Sequence, residues 1–230
     1  MARTVGIGIQ NFDEIISENY FYIDKTHFIK DWWESGDSVT LITRPRRFGK
    51  TLNISMLEQF FSVAHADKSG LFEGLSIWKE EKYRKLQGTY PVLKLSFADV
   101  KSTNYESVKE EIYYLLVELY EKNRFLLTSD LFSATEKASY ESVNMQMSEV
   151  TAARAVQKMC NYLSRYYGKK VIVLLDEYDT PMQEAYVNGY WDELVSFTRS
   201  MFNSTFKTNP YLLKAIMTGI TRVSKESIFF

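Results

Sequence analysis

The chain is short of the residues that build metal and redox centres. Its 230 residues include one cysteine, Cys160, and two histidines, His27 and His65, too few for a His/Cys zinc site. Cys160 shares an apparent helix face with Val156 and Leu163, the pattern of a packed thiol rather than a reactive one. No uncharged apolar run approaches the ~20 residues of a membrane span. The N-terminus, MARTVGIGIQNFDEII, meets acidic residues before any signal-peptide core develops. The expected location is therefore the cytoplasm, with no membrane partner. Charge of one sign is also missing. With 28 basic and 29 acidic residues the net charge is −1, so nothing global argues for nucleic acid. Internal repeats and low-complexity tracts are absent too. What remains, with 45% hydrophobic residues, suffices for one large α/β domain over 1–230.

The most informative stretch is VTLITRPRRFGKTLNISMLEQFF, from Val39 to Phe61. Val39, Leu41 and Ile42 form a short apolar run suited to a buried parallel strand. Pro45 ends it, because proline cannot donate to a ladder. From Thr51, the apolar residues Leu52, Met56, Leu57, Phe60 and Phe61 recur at helical spacing. Between them stands Gly49-Lys50-Thr51. A phosphate-binding loop of the form GxxxxGK[ST] needs backbone N–H groups around the β-phosphate, a lysine for the β/γ-phosphates and a hydroxyl for Mg²⁺. This loop supplies all but the first glycine, whose place is taken by Arg44, and a Cβ there restricts the turn. Arg44, Arg46 and Arg47 either add charge beside the phosphate seat or are simply solvated. The residues expected to line a nucleotide are Arg46, Arg47, Phe48, Gly49, Lys50, Thr51 and Leu52.

Before this stretch, the sequence predicts a short helix over 12–17, an extended FYID and a helix from about Thr26 to Ser35, stopped at Gly36-Asp37. Tyr20, Phe21 and Tyr22 either wall an adenine ring or pack on the sheet. After it, Lys79 to Lys85 reads as a solvated face. YPVLKLSF, from Tyr90 to Phe97, reads as a strand nearer a sheet edge, with Pro91 at its start. A capping-box signature, Thr103-Asn104-Tyr105-Glu106, opens a helix through Val108, Ile112, Leu115, Leu116 and Leu119. Residues 128–148, rich in Ser, Thr, Glu and Lys, read as a loop or weak helix pair at the surface. Another helix spans Glu149 to Tyr167 and stops at Gly168.

The second informative stretch is VIVLLDEYD. Five large aliphatics, Val171 to Leu175, form a strand buried on both faces, and acids appear at its C-terminal end, the edge where open α/β sheets bind ligands. About 120 residues after a GKT, Asp176 is placed to hold Mg²⁺ and Glu177 to orient and deprotonate an attacking water. Helix-compatible sequence from Trp191 to Phe206 leads to LLKAIMTG, another buried strand. Thr218 at its end either touches the γ-phosphate or caps the strand. Arg222 and Lys225 just beyond either read phosphate charge or lie exposed.

The combination IGIQNFDEII, YFYIDKT, LITRPRRFGKTLNISML, VIVLLDEYD and MTGITRVSKESIF resembles the bacterial AAA-ATPase-like proteins. In these, a P-loop ATPase domain usually precedes a nuclease-like domain of the PD-(D/E)XK type. RPRRFGKT is typical of that family, Arg44 included. The resemblance implies a three-layer α/β P-loop NTPase of the ASCE/AAA-like class with a mostly parallel sheet, ATP and Mg²⁺ as ligands, and Lys50 and Thr51 as phosphate and metal residues. It also implies Asp176 and Glu177 as the Walker B pair and Thr218 to Arg222 as a sensor-like segment. The chain stops at SIFF, where family members continue into a further strand, a helical lid and the nuclease-like domain, so the domain is expected to be incomplete at its C-terminus. In this class the strand LLKAIMTG should lie between the P-loop strand and VIVLLDEYD, with YPVLKLSF outside.

Two functions stay open. One is Mg²⁺-dependent ATP hydrolysis that switches or moves an attached effector, with Glu177, Lys50, Thr218 and Arg222 catalytic and Thr51 and Asp176 on the metal. The other is a nucleotide-gated module whose loop arginines meet nucleic acid or a protein with little turnover. Phosphoryl transfer to a small molecule lacks any acceptor-site signature. An oligomer with an arginine supplied across subunits is compatible with either.

Overall fold

The strand that organises the molecule is the most hydrophobic one. The computed structural model describes residues 3–221; Arg222 and Lys225 lie outside the described residues. Four strands pair in the order β1-β4-β3-β2. They are β1 (Val39–Thr43), β2 (Val92–Ser96), β3 (Val171–Asp176) and β4 (Leu212–Gly219), and every pairing is parallel. This is the expected order, with β4 between β1 and β3, the strand of paired acids. β3 is buried at every position, as a strand covered on both faces must be.

Nine α-helices occur among the described residues: α1 (Phe12–Ser17), α2 (His27–Glu34), α3 (Lys50–Phe61), α4 (Glu81–Arg84), α5 (Tyr105–Lys122), α6 (Ala134–Glu141), α7 (Glu149–Tyr167), α8 (Thr180–Asn188) and α9 (Trp191–Phe202). Alternate residues of the sheet serve two cores. Val171, Val173, Leu175, Ala215 and Met217 pack with α5, α7 and α9 on one side. Ile172, Leu174 and Ile216 pack with α1, α2 and α3 on the other. The result is three layers, the arrangement that a parallel sheet with helical crossovers requires. Cys160 is fully buried in the first core beside Val156 and Leu163.

Several local expectations change. The cap of α5 is Asn104, whose side chain accepts from Ser107 N–H; Asn reaches the third helical N–H from one position later than Thr103 does. Residues 128–148 hold one helix rather than a loop or a weak pair, and the segment is not wholly at the surface. Ser133 and Glu136 form a capping box that starts α6, and Phe132, Tyr140, Val143 and Met147 are buried in the first core. Within the charged run 79–85, Tyr83 is fully buried although its neighbours are exposed. The helix expected to reach Phe206 ends at Phe202 and continues as a π-helical turn, Asn203–Lys207. Tyr22 packs edge-on against Phe12, and its hydroxyl reaches Met56 Sδ, which makes it core rather than a ligand wall. Among the described residues no helix is long and apolar enough to cross a membrane.

Candidate functional site

The strand register brings the chemistry-bearing ends together. Thr43 lies opposite Gly219, and Ser96 lies opposite Asp176, so the four strands finish level along one edge. Here the loop after β1 begins, and Arg44 N–H donates to Gly219 O at 3.1 Å, extending the pairing by one residue. Arg44 is not among the non-glycine residues with positive φ. Its Cβ therefore costs the turn nothing, and the missing first glycine is accounted for. The left-handed steps fall instead on Arg47 (φ 67°) and Gly49 (φ 75°). Residues Arg44 to Phe48 are all exposed.

α3 starts at Lys50, one residue earlier than expected, behind Gly49, and no side chain caps it. The first N–H groups of a helix have no intrahelical partner, so Lys50, Thr51 and Leu52 present donors where the helix dipole favours an anion. Lys50 itself is buried to 7% exposure. Its ammonium donates to Arg44 O at 2.8 Å and Pro45 O at 3.0 Å. Those carbonyls hold the charge beneath the loop, and an ammonium has a third proton to offer.

Asp176, two strands away on β3, and Thr218, on the adjacent β4, are each 1% exposed. Thr218 donates its hydroxyl to Asp176 Oδ1, so the threonine neither points into open space nor merely caps the strand. Glu177 follows in the left-handed region, at φ 51°. Its N–H is turned toward Asp176 Oδ1 (3.2 Å) and Thr218 Oγ1 (3.4 Å). Its carboxylate accepts from Thr180 Oγ1 at 3.2 Å. A continuous path thus joins the two halves: Lys50 to the Arg44 carbonyl, Arg44 N–H to Gly219, and the adjacent Thr218 to Asp176.

Sequence reasoning missed two members of this edge. Asp179 is fully buried, and its Oδ2 accepts from Ile220 N–H, Thr221 N–H, Thr221 Oγ1 and Gln183 Nε2 at 2.8–3.0 Å. Thr180 opens α8, a helix left unassigned by the sequence, with proline in its first turn. The Asp-Thr-Pro run of DEYDTP carried that signal. Asp179 thereby ties the segment after β4 to the strand of paired acids.

Among the described residues no three His, Cys, Asp or Glu side chains gather as a metal cluster. The hydroxyl of Thr51 and the carboxylate of Asp176 are hard oxygen donors, which suits Mg²⁺ held by two protein groups together with phosphate oxygens and water. A cleft of about 630 Å³ lies elsewhere, along the outer edge of β2, whereas the loop from Arg44 to Phe48 is exposed.

No solved structure matches the chain. A protein of Azotobacter chroococcum mcd 1, described as an uncharacterized protein in the vnfD 5' region, is 27% identical over 229 residues, covering 99% of this chain and 39% of that protein. The chain therefore spans about two fifths of the length of this relative. Residues 6–229 match the family described as "Predicted AAA-ATPase", and with that match over nearly all of its length, the chain belongs to this AAA-ATPase-like family.

Proposed function

We propose that this domain is an ASCE-class P-loop ATPase that binds ATP at the start of α3 and hydrolyses it with Glu177, the turnover switching or moving an attached effector. The observation that carries the reading is the sheet order β1-β4-β3-β2. It sets one strand between Lys50 and the paired acids, at two spacings of ~4.8 Å, leaving room for a phosphoryl group and a water between them. In this reading Lys50 gives up its loop carbonyls for β/γ-phosphate oxygens, while N–H groups from Phe48 to Leu52 surround the β-phosphate. Arg46 and Arg47 add charge at the rim. Bound Mg²⁺, held by Thr51 and Asp176, would neutralise charge on the β- and γ-phosphates. Glu177 leaves Thr180, orients the attacking water and takes its proton. Thr218 fixes Asp176 and stands within reach of the γ-phosphate, and Arg222 reads the same charge.

Removing a group that stabilises the transferring phosphoryl raises the barrier by several kcal/mol. Isothermal titration of ATP with and without Mg²⁺, coupled to phosphate release, tests the reading. Lys50→Ala should abolish binding, whereas Glu177→Gln should bind and fail to turn over. Equal binding by wild type and Lys50→Ala would refute it. The exposed arginines of the loop favour a second reading, a nucleotide-gated nucleic-acid or protein module. It predicts salt-dependent DNA binding lost on replacing Arg46 and Arg47, with turnover unchanged in Glu177→Gln. Whether the remainder of a longer chain carries a nuclease-like domain belongs to the same proposal.

A further inference from the structure

β2 is an edge strand, and among the described residues its free side is bare from Val92 to Ser96. Pro91 O accepts from Ile172 N–H and Phe97 N–H donates to Asp176 O, so the odd-numbered residues of this stretch direct their backbone groups at β3. By the alternation of a parallel ladder, Val92, Lys94 and Ser96 direct theirs away from the sheet. At Tyr90 the outward groups are used: Tyr90 N–H donates to Phe61 O and Tyr90 O accepts from Val63 N–H, both at 2.9 Å. That single parallel bridge is where the chain leaves the edge, turning into a 3₁₀ helix at Val63–His65. The cleft of about 630 Å³ runs along the bare residues, between the end of α3 and α5.

The walls of this cleft are acidic and aromatic. Glu58, Asp99, Glu111 and Glu118 line it against Lys94, Lys122 and His65, and Lys94 is already held by Glu58 at 2.6 Å. Glu111 accepts from Ser102 through Oε1, while its Oε2 is buried with no hydrogen-bond partner among the described residues. Such an oxygen calls for a donor. Tyr114 and Phe125, at 55% and 40% exposure, are uncovered on the same cleft. Pairing of two β2 edges from separate copies would bring two acidic walls together, which disfavours a second copy, and a polyanion is disfavoured on the same ground.

We propose that this cleft receives an extended basic segment of a partner protein, which adds as a strand to β2 and sets a lysine or arginine on Glu111. Main-chain bonds to Val92, Lys94 and Ser96 supply affinity and the acidic wall supplies selectivity. The site runs along the outer side of β2 and meets the nucleotide edge only at Ser96, opposite Asp176; it does not depend on ATP hydrolysis.

Fluorescence anisotropy of the purified 230-residue chain with labelled octapeptides tests this. The probes alternate Lys with Val, alternate Glu with Val, or are the Lys/Val peptide N-methylated on one or the other set of alternate residues. The Lys/Val peptide should bind saturably, and the Glu/Val peptide should bind at least about tenfold more weakly. One methylated set should lose binding and the other keep it, because only one edge of the added strand meets β2. Glu118→Lys, at an exposed helix position, should weaken the Lys/Val peptide and strengthen the Glu/Val peptide while leaving ATP binding unchanged. Equal affinity of the two methylated peptides, or equal affinity of the Lys and Glu probes, overturns the proposal. So does a dimer of the chain that occludes the peptide.

Discussion

Gly219 is closely confined at the edge where β4 ends, and replacing it tests how that edge is held. A Cβ there would stand 2.5 Å from Asp179 Oδ1, 2.8 Å from Asp179 Cγ and 2.7 Å from Tyr178 Cε1. No left-handed backbone is involved, so an alanine at 219 costs only through the clash. Overpacking of this kind costs ~1–3 kcal/mol. If the Asp179 carboxylate is pushed aside, hydrogen bonds to a charged acceptor are lost at ~1.5–3 kcal/mol each. Against this, alanine restricts the unfolded chain and returns ~0.5 kcal/mol. Gly219→Ala should therefore lower stability by about 4 kcal/mol, summing the midpoints of those terms with one bond lost. In an Asp179→Ala background two of the three close atoms are gone, and the same substitution should cost only ~1–1.5 kcal/mol. Urea unfolding of the four proteins, followed by tryptophan fluorescence, measures the coupling. Additivity within ~0.5 kcal/mol would mean that Asp179 does not occupy the space beside Gly219.

Arg47→Gly removes a side chain from a left-handed backbone position and should stabilise the ligand-free protein by ~1 kcal/mol in the same urea assay; no gain would place the turn elsewhere in the loop. The Cys160 thiol, wholly buried and pushed up to about 12 by that burial, should not react with a chromogenic disulfide until the protein is unfolded. Asp24 should make stability depend on acid. Burial alone would raise its pKa, but hydrogen bonds from Thr26 and Ser76 outweigh it and hold the carboxyl below the usual 3.8. A group depressed in the folded state stabilises above its unfolded value, and that contribution disappears as the pH falls through the folded one. The stability gap between wild type and Asp24→Asn, measured by thermal melts, should therefore be steady at neutral pH and close below pH ~3.8; a gap that widens in acid would reverse the sign.

The legible parts of this chain were those where one physical demand dominates. A run such as Val171 to Leu175 has no reading except a strand covered on both faces, and Gly168 after α7, with φ 65°, is the stop that a left-handed residue provides. The position of β4 between β1 and β3 was legible only because the acids at 176 and 177 implied a catalytic class; no strand sequence names its neighbour. α8 was hidden because the acids of DEYD drew attention to chemistry, while Asp179-Thr180-Pro181 also marked a helix start. The segment 128–148 misled for the opposite reason. Its many polar residues are the exposed face, and Phe132, Tyr140, Val143 and Met147, spaced too widely for one periodic run, carry the burial. The tie that Asp179 makes to the segment after β4 had no signature, since Ile220 and Thr221 lie some 40 residues away.

The clearest sign that the carboxyl edge is more than scaffold comes from its backbone. Among the described residues, non-glycine residues with positive φ are Asn19, Arg47 and Glu177. Asn19 follows α1 and is of a type that tolerates this region, whereas arginine and glutamate have no such excuse and cost ~1–2 kcal/mol each. Both stand at the edge that holds Lys50 and Asp176, one on each side of β4. At Glu177 the strain is over-determined: its N–H is turned toward Asp176 and Thr218, and the next N–H, that of Tyr178, donates to Thr218 O. Those bonds fix the direction in which the glutamate leaves the strand, independently of where its carboxylate now rests on Thr180. Strain that neighbouring bonds maintain at Glu177 supports the proposal that this edge is a preorganised site. A fold needing only stability would have placed glycine at both.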